Sequence, residues 1–470
     1  MRIVMKFGGT SVATGENIRR IADIISSSVS KGHQIIAVVS ALDGITEKLI
    51  EAAERAEKRD KGFIHNLGQE LLNRHLRVAG EAIFNSSILK EIQLTIAATL
   101  EELEKILTGI LYVGELTPRS KDYILSFGER LSAPILYGAL KDVGLNTCFL
   151  TGAEAGIVTD DNFGEANPLM NVTKLQVKER LEPLLQKGMV PVVTGFIAAT
   201  QDGITTTLGR GGSDYTATIL GAALGAEEIW IWTDVDGLMT SDPKIVPNAK
   251  TLPELSFREA LEMAVFGAKA MHPRALEPIM DSNTIVRIKN IFNPNGPETV
   301  LVKETKAKPG TVKAVTLLKD VALINISGAG MVGAPGTAAK VFEVLGKNKI
   351  NILMISQGAS EANISLIIRR NLMEKAVNAL ELALLGGGLI REITGEDDVC
   401  VISVVGAGMR NTPGIASRVF TAVARRGINV RMIAQGSSEL NISFVVKESD
   451  GPAAVQAVHE EFKLGEVSSF

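Results

Sequence analysis

The sequence predicts an α/β chain in two parts. A largely parallel sheet domain fills the first 303 residues, and two copies of a small ferredoxin-like β-α-β-β-α-β module follow. Two observations carry this. In the first part, strand-like runs at Ile35–Ser40, Met189–Gly195 and Glu228–Thr233 alternate with helical patterns, as strands joined by crossover helices do. In the second, Val321–Arg369 aligns without a gap to Val399–Lys447 at an offset of 78 residues. There 22 of 49 positions are identical, which marks a duplicated supersecondary unit.

Composition bounds the function. A chain of 470 residues has room for several domains, and 46% hydrophobic with 22% charged residues excludes a disordered chain or a coiled coil. A net charge of −4 leaves no electrostatic footprint for nucleic acid or an anionic membrane. Only Cys148 and Cys400 are present, so no disulfide framework is expected and a reducing cytoplasm fits. The start, MRIVMKFGG, has no signal-peptide pattern, and no apolar stretch is long enough to span a bilayer.

Taken in order, Ile3–Met5 is a strand, KFGGTSV (6–12) breaks it, and a helix runs from about Asn17. Residues 47–110 read as mainly helical. A second Gly-rich loop, LGRGGSD (208–214), opens an apolar helix, Tyr215–Leu224. Lys303–Pro309 (KETKAKP) is a polar, proline-ended linker. The expected domains are therefore 1–303, 310–395 and 396–470. Within each module an apolar strand (Val321–Ser327; Val399–Val405) meets a Gly-rich turn. A helix starts near Pro335 or Pro413, two strands surround I-S-Q-G or I-A-Q-G, and a second helix follows, Met373–Leu385 in the first copy. The second copy's last strand, Leu464–Phe470, is short, whereas an extra strand, Thr311–Leu318, precedes the first copy. One copy is thus expected to borrow a strand.

Several stretches carry chemistry. Gly8 and Gly9 let backbone N–H groups approach a ligand, and Lys6 sets a cation at the strand's end, which suits a phosphate oxyanion. A tight turn with a surface lysine would read the same way. Arg210 offers a bidentate fork for a carboxylate or phosphate, and Asp214 either holds Lys6 or binds a metal. Ser213 or Asp214 capping a helix is the plainer alternative. VVSALDGIT (38–46), SFGERLS (126–132) and WTDVDGLMTSDPK (232–244) are also polar. All three are expected beyond the carboxyl ends of strands, where open α/β sheets bind ligands. Alone, Glu129–Arg130 would be read as a solvated ion pair.

Together with FGAKAMHP (266–273), these motifs resemble the aspartokinase family, in that family's order, and the tandem modules resemble its paired ACT domains. The resemblance implies the amino-acid-kinase fold, a three-layer α/β/α sandwich. It also implies transfer of the γ-phosphoryl of MgATP to the β-carboxylate of L-aspartate, the entry to lysine, threonine and methionine synthesis. The cofactors implied are ATP and Mg2+, with no protein metal ligands. Lys6, Gly8 and Gly9 match the phosphoryl site, and Asp214 matches the residue that orients lysines. Ser40, Thr46, Glu129, Arg210 and Ser213 match the substrate clamp, with Glu129 on the amino group and Arg210 on the α-carboxylate. Thr233, Asp234, Asp242, Lys244 and Lys269 match nucleotide-side positions. Two departures stand out: Met239 replaces a frequent tyrosine, and Lys244 replaces an arginine, keeping the charge without the fork.

Gly328-x-Gly330-x-x-Gly333 imitates a dinucleotide fingerprint. The unit is too short, no acid follows at the right distance, and the second copy has Asn411 at the third glycine. It is better read as the ACT-domain loop facing an amino-acid effector. ISQGASEANIS and IAQGSSELNIS are similar to the words of threonine-inhibited aspartokinases, with lysine the alternative effector. Expected contacts are Met331, Gly333, Asn351, Gln357 and Asn363 in the first copy, and Asn429 and Gln435 in the second. A homodimer or homotetramer through the modules is implied. Competing readings are a glutamate kinase of the same fold and an amino-acid sensor with an inactive kinase domain. A fused dehydrogenase is not expected, because the sequence ends at Phe470.

Overall fold

The computed structural model describes residues 1–268, 271–306 and 308–466. They fall into two compact units. The first holds Met1–Leu238, Pro253–Phe257 and 271–304; the second holds Met239–Leu252, 258–268 and the described residues from Thr305 onward.

The first unit is built on an eight-stranded sheet. In spatial order its strands are Thr147–Leu150, Val190–Thr194, Gln34–Val39, Arg2–Phe7, Glu228–Thr233, Ile285–Asn290, Thr299–Val302 and Glu254–Ser256. All neighbours run parallel except the antiparallel pair Ile285–Asn290 and Thr299–Val302. The central strands are apolar throughout because both faces are covered. Ile3, Met5, Phe7, Ile35, Ala37 and Val39 pack under the helices Gly15–Ser30, Ile45–Glu57, Lys61–Ala82, Ser86–Val113 and Pro118–Asp142. Val4, Ile36 and Val38 point the other way and are equally buried. The helices Met170–Gln186 and Gly212–Leu224 pack against the sheet outside that cluster, giving the expected three layers. A small sheet, Val158–Thr159, Ile197–Thr200 and Thr205–Thr207, was not legible in the sequence.

The second unit centres on a six-stranded antiparallel sheet. The extra strand and the first strand of copy one are fused into a single strand, Ala314–Ser327. Its first half, Ala314–Leu318, pairs with Val401–Val405 of the second copy, and its second half, Val321–Ser327, pairs with Asn363–Arg369 of the first. The second copy thus takes its closing strand from ahead of the first copy, as expected. The short strand Leu464–Phe470 is absent among the described residues: 464–466 form a turn, and the remainder lies outside them. The segment Met239–Leu252 joins this unit's core through Val246, which packs with Val312, Phe444 and Val455.

Candidate active site

Four parallel strands, Arg2–Phe7, Gln34–Val39, Val190–Thr194 and Glu228–Thr233, end on the same side of the first unit's sheet. Just beyond the first three lies a cavity of about 610 Å³ lined by Lys6, Gly9, Ser40, Thr46, Glu129, Arg210, Ser213 and Asp214. Eight residues singled out far apart in sequence are thereby brought together.

Each is held for a physical reason. Lys6, next to last in its central strand, has Nζ 2.6 Å from Asp214 Oδ1, and both side chains are nearly buried. Asp214 lies in the first turn of helix Gly212–Leu224, where partial positive charge stabilises a carboxylate. The loop before that helix turns through left-handed conformations at Gly209 and Gly211 (φ +74° and +68°), which only glycine adopts readily. It leaves Arg210 exposed at the cavity, with no partner from the chain among the described residues.

SFGERLS (126–132) lies inside helix Pro118–Asp142 and not beyond a strand end, and Glu129 does not pair with Arg130. Arg130 turns away to Glu102 at 2.6 Å and stacks over Phe127. Helix Pro118–Asp142 comes so close to the 40–42 loop at Gly128 that a Cβ there would stand 2.8 Å from Ala41 Cβ. This contact drives Glu129 inward, where it is 3% exposed. Its Oε1 accepts the Ala41 N–H at 3.1 Å, and its Oε2 has no partner among the described residues. Desolvation raises its pKa to about 8, against the pull of the hydrogen bonds it accepts. A buried carboxyl with one free oxygen facing a cavity is built to receive a cation.

Other expected residues are placed differently. The N–H of Gly8 is taken by the Trp232 carbonyl at 3.2 Å, while Gly9 lines the cavity. Thr233 ends its strand and donates to Asp234 at 3.2 Å; neither lines the cavity. Asp242 and Lys244 lie in the second unit, where Asp242 accepts the Lys244 N–H at 2.9 Å. Met239, in the same segment, pairs with Thr251. Lys269 lies outside the described residues. In the first module Met331 is buried and Gly333 donates to Glu361 at 2.9 Å, while Asn351, Gln357 and Asn363 are exposed, as are Asn429 and Gln435 in the second.

One contributor was not expected. Asp122, 1% exposed, accepts the Gly164 N–H at 3.0 Å, the Thr207 N–H at 2.8 Å and the Thr207 hydroxyl at 2.9 Å. Gly164 and Thr207 both line the cavity, so Asp122 fixes one wall. Burial raises its pKa, and the three hydrogen bonds oppose the rise. Its spacing of seven residues from Glu129, one helical face, was the available signal.

Among the described residues, no three or more His, Cys, Asp or Glu side chains converge as a metal site, and no helix is long and apolar enough to cross a membrane. A family model described as the amino acid kinase family matches residues 1–290, and an ACT domain model matches 324–384 and 402–462. Aspartokinase 1 of Arabidopsis thaliana is 34% identical over 468 residues, covering 98% of this chain and 80% of that protein. A bifunctional aspartokinase/homoserine dehydrogenase of Zea mays is 33% identical over 474 residues, covering 99% of this chain and 51% of that one, so the chain spans about half the length of such relatives. Escherichia coli aspartokinase III in complex with aspartate and ADP has a TM-score of 0.84 at 29% identity, covering 98% of this chain and 100% of that one. The same enzyme in complex with lysine and aspartate has a TM-score of 0.78 at 29% identity, covering 98% and 99%.

Proposed function

The chain belongs to the aspartokinase family, and on that premise we propose that it transfers the γ-phosphoryl of ATP, carried as its Mg2+ complex, to the β-carboxylate of L-aspartate. The observation that carries this reading is the cavity in which a buried Glu129, an unpartnered Arg210 and the Lys6–Asp214 pair face one another. A free amino acid is a zwitterion. Glu129 meets its ammonium and Arg210 its α-carboxylate, leaving the β-carboxylate free to react. That group is ionised at neutral pH, so no general base is needed. A β-carboxylate oxygen bonds to the γ-phosphorus, the bond from that phosphorus to the bridging oxygen breaks, and ADP leaves with the electron pair. Lys6, oriented by Asp214, offsets charge on the transferring group, and catalysis rests on position and electrostatics. Ser40, Thr46 and Ser213 complete the clamp. By family resemblance the nucleotide side is assigned to Thr233, Asp234, Asp242, Lys244 and Lys269.

The module pair is assigned to feedback control by an amino acid in a homodimeric or larger assembly. Threonine is proposed from the Q-G-x-S-E words, and lysine is the second reading, favoured by the lysine complex of the E. coli enzyme. Trapping acyl phosphate with hydroxylamine tests all of this. The expected result is hydroxamate from L-aspartate, none from L-glutamate, and suppression by threonine. Suppression by lysine alone replaces the effector. Absence of hydroxamate from a folded, threonine-binding protein leaves a sensor with an inactive kinase domain.

A further inference from the structure

Two carboxylates fasten helix Phe257–Val265 to the second repeat. Glu259, 0% exposed, accepts the Ala407 N–H at 2.7 Å, in the turn after the repeat's first strand, and pairs with Lys313 Nζ at 2.9 Å. Glu262 accepts from the side-chain amide of Asn441.

Each of these donors has a counterpart 78 residues away in the first repeat. Ala407 corresponds to Ala329 and Asn441 to Asn363. Lys313, just before the borrowed strand, corresponds to Arg391: the Lys313 N–H donates to Val405 at 2.8 Å and the Arg391 N–H to Ser327 at 2.8 Å. The neighbouring loops agree as well, for Gly333 donates to Glu361 at 2.9 Å and Asn411 to Glu439 at 2.6 Å. The copies part at one point. In the second, an N–H, an amide and a cation are satisfied by carboxylates of the helix. In the first, the Ala329 N–H and the Asn363 amide have no partner among the described residues, and Arg391 is exposed.

We propose that the second repeat contains a carboxylate socket filled from within the chain, with helix Phe257–Val265 as its tethered ligand through Glu259 and Glu262. The chemistry of the donors argues for this: a backbone N–H, a side-chain amide and a buried cation form a set that takes the carboxylate of an amino acid. A ligand joined by the chain itself competes at millimolar effective concentration or above. A free amino acid therefore loses at the second copy and finds the equivalent donors open in the first. This deepens, and rests on, the reading of the modules as amino-acid sensors.

The full-length chain carries the test, with Glu259→Ala to empty the socket. By calorimetry with L-threonine and L-lysine, the variant is expected to bind one amino-acid equivalent more per chain than the wild type. Sodium acetate, which supplies only a carboxylate, is expected to raise the variant's Tm saturably, where sodium chloride and the wild type show no such effect. Equal stoichiometry in both proteins, with no acetate response in the variant, overturns the socket. Should Glu259→Ala not fold, Glu262→Gln keeps the side chain's size: amide exchange over residues 257–265 is expected to accelerate at least ~10-fold, and exchange as in the wild type overturns the proposal. The acetate and exchange readouts need neither catalysis nor a known effector, so failure of the socket is distinguishable from failure of the kinase or sensor reading.

Discussion

Burial lifts the Glu129 carboxyl to about 8, so at neutral pH it holds a proton until a cation arrives. An ammonium in the cavity needs the ionised form, so aspartate binding at pH 7 releases a proton. The apparent KM for aspartate is expected to rise roughly tenfold per pH unit as pH falls below about 8. Glu129→Gln removes that slope and raises KM, and initial-rate profiles from pH 6 to 9 read both effects. The stability linkage has the opposite sense. A carboxyl whose folded pKa is raised stabilises the fold below its unfolded pKa, and that contribution is lost as pH rises through about 8. The ligand-free chain should lose Tm through this group between pH 5 and 9, and saturating aspartate should restore it. Lys6→Ala is expected to lower kcat by ~10²–10³, the cost of one oxyanion donor, in rapid-quench assays at saturating substrates; near wild-type turnover removes Lys6 from the phosphoryl site.

Helix Pro118–Asp142 shows what an element contributes beyond one side chain. Asp122 and Glu129 share its inner face, the first tying a loop at Gly164 to strand Thr205–Thr207 in the cavity wall and the second aimed inside. Asp122→Ala leaves three donors unsatisfied. It should cost about 1–3 kcal/mol in denaturant unfolding and raise KM for aspartate more than it lowers kcat; unchanged KM makes Asp122 structural only. Glu129 was legible because a motif carries it. Asp122 was not, since an aspartate in a helix ordinarily faces water. Boundaries followed the same logic. Strand Glu228–Thr233 matches its apolar run. The first helix starts at Gly15, two residues early, because the Thr14 side chain caps it by accepting the Asn17 N–H. The strands Val158–Thr159 and Thr205–Thr207 are too short for a period to register. The fused strand Ala314–Ser327 was read as two because the repeat begins only at Val321; in the structure the halves meet at Asp320, at φ +59°, where the register shifts.

At the scale of the molecule, the duplicated modules were plain in the sequence, whereas the membership of Met239–Leu252 was not, because it depends on packing between distant residues. Val246 sits in a core with Val312, Phe444 and Val455, and the Thr240 hydroxyl lies 3.0 Å from His459 Nε2. A chain ending at residue 303 keeps this segment but loses every one of those partners. It should melt at least ~10 °C below the full chain and scatter light on warming; an equal Tm would mean that the first unit holds the segment unaided. The borrowed strand has a consequence of another kind, for ancestry. The unit that was copied and the unit that folds are out of phase by one strand, since Ala314–Leu318 closes a module whose remaining strands lie after residue 398. Deleting one period of 78 residues, 321–398, would join Asp320 to Val399 and leave a whole module, circularly permuted, with no open edge where its neighbour had been.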